Sequence, residues 1–88
     1  MKNPGVFHES GAGSVLLSSL LPGEQGRIIA VGMGMGRQHH LRRMGLREGK
    51  IVTVIATQPA HGPFVLEIDG AQIAIGRGMA LHILVEKV

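Results

Sequence analysis

Apolar and polar residues alternate with a period of two over much of the second half of the chain. Phe64, Leu66 and Ile68 fall on one side and Val65, Glu67 and Asp69 on the other, which predicts a strand with one apolar and one mixed face. Asp69-Gly70 follows, the strongest short hairpin signal in the sequence. Beyond it Ala71, Ile73 and Ile75 share one side while Gln72 and Ala74 share the other. A last strand carries Ile83 and Val85 inward and His82, Leu84 and Glu86 outward. Ile51–Thr57 (IVTVIAT) is rich in β-branched residues, and Gly26–Val31 (GRIIAV) is a short apolar run; both predict strands.

Turn signals separate these runs. Leu21-Pro22-Gly23-Glu24 combines a Pro that presets φ with a Gly that accepts positive φ. Glu48-Gly49-Lys50 predicts a second turn, and Pro59–Pro63 a loop. Gly76–Ala80 turns the chain again, with Gly76 and Gly78 serving the bends of a curved sheet. Only Arg37–Met44 predicts a helix, of two turns. Gly45 can take the left-handed conformation that ends it, with Leu46 as the accompanying apolar contact. Arg42 and Arg43 then sit at the negative end of the helix dipole. Val15–Leu21 begins the ordered structure, and residues 1–14 read as a loose tail before a domain spanning 15–88. The sum is a mainly β protein of about five short strands, with one short helix inserted after the first. A flat sheet of this kind would leave its edges bare, so closure into a small SH3-like barrel is the expectation.

Composition narrows the chemistry. The chain of 88 residues, 44% of them apolar, can build one core but not two. It has no cysteine, which excludes disulfides and thiolate metal sites. Nine Lys and Arg against six acids give a net charge of +3, suited to an anionic partner. With two Phe and no Tyr or Trp, however, a base-stacking surface for single-stranded nucleic acid has almost nothing to build on. No run approaches the ~20 apolar residues of a membrane span. VLLSSLL at Val15–Leu21 is broken by Ser18 and Ser19, runs into Pro22-Gly23-Glu24 and lacks a small-x-small cleavage site, so it does not read as a signal core. The expected location is the cytoplasm, without membrane insertion.

The densest chemistry lies in GMGMGRQHHLRRMGL, residues 32–46. Its Gly32, Gly34 and Gly36 spell GxGxG rather than GxGxxG, and no GK[ST] follows, so a nucleotide cradle is not indicated. A pliable join with adaptable Met33 and Met35 fits better. His39 and His40 are adjacent and diverge by about 100° on a helix, so they cannot grip one ion from the same side. With no thiol, a metal site would need His nitrogens and carboxylate oxygens, a set that suits Fe2+ or Zn2+. Arg37, Arg42, Arg43 and Arg47 cluster on and just beyond the helix, as a solvated face or as a docking surface for an acidic partner. Asp69 is the one Asp, and the Ser residues all lie in the first 19 positions. No catalytic constellation can be assembled from these, so no enzyme is expected.

Four stretches in order resemble a known family: L-x-x-L-x-P-G-E-x-G-R-I at Leu17–Ile28, L-R-R-M-G-L-R-E-G at Leu41–Gly49, G-P-F-V-L-E-I-D-G at Gly62–Gly70, and I-A-I-G-R-G-M-A-L-H-I-L-V at Ile73–Val85. Together they are similar to FeoA, the small cytoplasmic protein of bacterial ferrous iron transport. A similar domain forms the C-terminal SH3-like part of iron-dependent repressors. The resemblance implies the same barrel with an inserted helix. It also implies an accessory role, docking on the cytoplasmic GTP-binding region of a FeoB transporter to assist or regulate iron uptake. Neither the GMGMG stretch nor the His39-His40 pair belongs to the shared motifs.

On these readings Met33, Met35, Arg37, Arg42, Arg43 and Arg47 are the expected partner-binding residues. A second reading is a transition-metal-binding regulatory module, using His39, His40 and His61 for Fe2+ or Zn2+ and working as a homodimer. A third is a small nucleic-acid-binding barrel.

Overall fold

A computed structural model describes residues 14–32, 35–58 and 62–88. Strand β1 (Ser14–Leu16) leads into a single 3-10 turn at Leu17–Ser19. Then follow β2 (Gln25–Val31), α1 (Met35–Arg43), β3 (Ile51–Thr57), β4 (Phe64–Ile68), β5 (Ala71–Ile75), α2 (Arg77–Ala80) and β6 (Ile83–Lys87). The strands form one antiparallel sheet in the order β1-β6-β2-β3-β4-β5.

The alternation seen in the sequence becomes burial. Phe64, Leu66 and Ile68 of β4 are buried, as are Val52 and Val54 of β3, Ile75 of β5, and Ile83 and Val85 of β6. With Leu17, Leu20, Ile28, Leu41 and Leu46 they form a single hydrophobic cluster, so the sheet curls around one interior. The turns take the predicted forms. Gly23 has φ +93° and Glu24 N–H bonds the carbonyl of Leu21 at 2.9 Å, a type II turn. Asp69 (φ 53°) and Gly70 (φ 85°) make the two-residue hairpin turn with Ile68 opposite Ala71.

Four features depart from the expectation. There are six strands and two helices among the described residues, not about five and one, and α1 follows the second strand. Gly76–Ala80 is not a bend: α2 occupies it, and Gly76 has an ordinary φ of −69°. The sheet is also not closed by hydrogen bonds, because β1 and β5 each have one neighbour. β1 stops after three residues, where the chain turns inward to bury Leu17. That turn meets α2, and Leu17 and Ala80 are both fully buried there. Side-chain packing, rather than a ladder, plugs the interior at that point. Finally, Leu84 faces outward as expected yet is buried, because its cross-strand neighbours on either side are Leu16 and Ala30.

One glycine is imposed by packing. A Cβ on Gly26 would lie 2.8 Å from Val85 Cγ2, 2.9 Å from Val85 Cβ and 3.3 Å from Leu20 Cδ1. β2 and the underlying side chains approach too closely there for any larger residue.

Candidate functional site: a cationic helix end

Helix α1 leaves β2 at the side of the sheet and packs with a very narrow apolar contact. Leu41 and, just past the helix, Leu46 are fully buried, and Met44 is half-buried against the core. On the same side Gln38 Nε2 donates to the carbonyl of Val31 at 2.6 Å, tying the helix to the end of β2. His39, His40, Arg42 and Arg43 are exposed.

The helix ends as its sequence dictates. Gly45 adopts φ +97°, its N–H bonds the carbonyl of Arg42 at 3.0 Å, and Leu46 N–H bonds that of Leu41 at 2.9 Å. These are the two bonds of a Schellman stop, which satisfy carbonyls the helix would otherwise leave open. The same stop drives Leu46 into the core and leaves Arg47 exposed beside the last turn.

The charges elsewhere are largely matched. Arg27 pairs with Glu86, Lys50 Nζ with Asp69 Oδ2 at 2.8 Å, and Lys87 Nζ with Glu24 Oε2 at 3.4 Å. At the helix Arg42 reaches Glu48 only at 3.9 Å, with both side chains well exposed, so solvent screens most of that attraction. Among the described residues Arg43 and Arg47 have no ion pair, and the surplus positive charge therefore gathers at the end of α1. Among the described residues Arg77 is the other cation without a carboxylate; it stacks over the Phe64 ring at 4.9 Å.

The residues singled out by sequence are thus distributed unevenly. Arg42 and Arg43 close α1 and Arg47 follows its stop, all three exposed. Met33 and His61 lie outside the described residues, as do the side chains of Met35 and Arg37. His39 and His40 stand in solvent, and among the described residues no three His or carboxylate groups converge as a metal site requires. Sequence reasoning missed Gln38 and Arg77. Neither position carries a local signal: Gln38 acts through a backbone carbonyl seven residues earlier, and Arg77 through a ring thirteen residues away.

The sequence model of the FeoA domain matches residues 15–87. This chain belongs to the FeoA domain family. It is 38% identical over 64 residues to a putative Fe(2+) transport protein A of Methanocaldococcus jannaschii, covering 73% of this chain and 76% of that one. A crystal structure described as an iron uptake regulatory protein (FeoA) superposes with a TM-score of 0.80 at 32% identity, over 85% of this chain and 99% of that one. The T. acidophilum IdeR structure matches 89% of this chain with 36% of its own, at 25% identity and a TM-score of 0.77. The FeoA domain as found here has no helix, among the described residues, long and apolar enough to cross a membrane.

Proposed function

We propose that this FeoA-domain protein is a non-enzymatic cytoplasmic accessory of ferrous iron uptake. In this reading it docks on the GTP-binding region of a FeoB-type transporter through α1 and its flanks. The observation that carries the reading is the separation of charge: Arg27, Lys50 and Lys87, on or beside the strands, are matched by carboxylates, whereas among the described residues Arg43 and Arg47 are not. A helix held to the core by few side chains, ending in unmatched guanidinium groups, is built to meet acidic groups on another macromolecule. Electrostatic complementarity of this type sets encounter rate and orientation more than it adds affinity. The similarity to Fe(2+) transport protein A supplies the process in which such a partner is found.

The test is titration calorimetry with the purified GTP-binding domain of the cognate transporter. Arg43→Glu/Arg47→Glu is expected to weaken binding by about tenfold or more, and raising salt from ~50 to ~300 mM to weaken wild-type binding. Arg27→Glu/Lys87→Glu changes the net charge equally on the sheet and is expected to bind nearly as wild type. Equal losses in the two double variants would reduce the effect to net charge and overturn the assignment of α1.

A further inference from the structure

The two edges of the sheet are not alike. β1 is three residues long and runs straight into the Leu17–Ser19 turn, which leaves little backbone to pair. β5 is five residues in unbroken register with β4, from Phe64 opposite Ile75 to Ile68 opposite Ala71. Its sequence, AQIAI, has no Lys, no Pro and no charge, and no bulge interrupts it. Of the devices that usually blunt a sheet edge, β5 has none among the described residues.

The hairpin turn sets which of its backbone groups are free. Two-residue turns close on a hydrogen-bonded pair, here Ile68 and Ala71, and such pairs then alternate along the ladder. Ala71, Ile73 and Ile75 thus spend their N–H and C=O groups on β4, while Gln72 and Ala74 direct theirs to the open edge.

We propose that β5 pairs with β5 of a second copy of this chain, antiparallel about a two-fold axis at Ile73. In that register Gln72 of each copy lies opposite Ala74 of the other, which satisfies four N–H and four C=O groups with four hydrogen bonds. Ile73 meets its own counterpart in a non-hydrogen-bonded pair, with Cα atoms about 4.5 Å apart. Each Ile73 packs at the margin of the core and is half-buried, so the pairing covers what the monomer leaves open. Residues 69 and 77 are both four positions from the axis. Asp69 of one copy therefore comes to the end of the strand where Arg77 of the other begins α2, twice over. Arg77 has no carboxylate of its own among the described residues and is held in place over Phe64. Asp69 engages Lys50 through Oδ2, which leaves its other oxygen to accept. A shift of the axis to Gln72 or Ala74 loses both this charge match and part of the ladder. The charge pattern therefore favours a second copy over a foreign peptide as the occupant of this edge.

The absence of cysteine makes the register directly testable. Ile73→Cys places two thiols on the axis, within the Cα separation of roughly 4.4–6.8 Å that a disulfide needs. Gln72→Cys places them about 8 Å apart, diagonally across the ladder. Oxidation of the full chain with copper phenanthroline is expected to give covalent dimer at least about tenfold faster for Ile73→Cys. Independently, sedimentation velocity of the wild type from ~10 µM to ~1 mM is expected to show a monomer–dimer equilibrium, weak because so short an edge buries little area. Ala74→Pro removes an edge-facing N–H, a change edge strands tolerate. It is expected to raise the dissociation constant at least about tenfold while leaving the circular dichroism spectrum unchanged. A wild type that stays monomeric to ~1 mM overturns the proposal, as do equal cross-linking rates for the two cysteine variants.

Discussion

Replacing Gly26 by Ala should destabilise the protein, against the usual direction for a glycine in regular structure. Gly→Ala normally stabilises by about 0.4–1 kcal/mol, because the unfolded chain loses freedom. Here the added methyl would sit 2.8 Å from Val85 Cγ2 and 2.9 Å from Val85 Cβ, about 0.7 Å inside the ~3.5 Å at which carbon atoms rest. Val85 has little room to swing aside, since a β-branched side chain is restricted at χ1 and this one is fully buried. Overpacking of this kind costs about 1–3 kcal/mol, so after the usual gain a net loss of about 1 kcal/mol is expected, or about 4–8 °C in Tm for a domain of this size. Val85→Ala alone should lose about 2–3 kcal/mol from two missing methyl groups and the space they leave. Combined, the loss of Cγ2 removes the 2.8 Å contact, but the Cβ of residue 85 still lies 2.9 Å from the new methyl. The double variant should therefore lose less than the sum of the two single variants, with a coupling of about 1 kcal/mol between the sites. Urea unfolding followed by circular dichroism, at equal m-values, reads all four corners of the cycle. Additivity to within about 0.5 kcal/mol, or a stabilised Gly26→Ala, would show that the backbone shifts freely there and that the close approach of β2 to Val85 is not a constraint.

Two further outcomes follow from the helix stop and from one carboxylate. Gly45→Ala should cost about 1–2 kcal/mol, since φ +97° is unfavourable for any residue with a Cβ, and Gly45→Asn should cost less in the same unfolding assay. The pKa of Glu24 is lowered from 4.5, most of all by the N–H of Leu21, with desolvation opposing and Lys87 assisting. A lowered folded-state pKa gives stability that is present above the unfolded value and is lost as pH falls through the folded one. Wild type should thus lose stability more steeply than Glu24→Gln as pH drops from about 5 to 3, measured by thermal melts across that range.

Local chemistry made much of this fold legible. The β4–β5 hairpin was written in Asp69-Gly70 and the strict alternation on either side. The end of α1 was written in Gly45-Leu46, and the Leu21–Glu24 turn in Pro22-Gly23. Elements set by distant partners were not legible. Ser14–Leu16 carries no alternation of its own and is a strand only because β6 offers a ladder. Gly76–Ala80 reads as a bend because its glycines mask the single helical turn that buries Ala80. Leu84 breaks the inside-outside rule because Leu16 and Ala30, far away in sequence, cover it. The same limit applies to the candidate site. The cluster of arginines was visible in the sequence. That Arg42 has only a loose partner in Glu48, while among the described residues Arg43 and Arg47 have none, depends on the conformation of the chain past the helix stop.

Strand β6 lies second from one edge of the sheet, between β1 and β2, although it is the last strand in chain order. During synthesis, then, β1 has nothing to pair with and β2 keeps an open flank until Ile83–Lys87 has left the ribosome. The hairpin β4–β5 and its join to β3 can form early, but the N-terminal third must wait. Completion of this domain therefore waits on β6, and a chain cut short before Ile83 would display a half-sheet of β2 to β5 with two open borders.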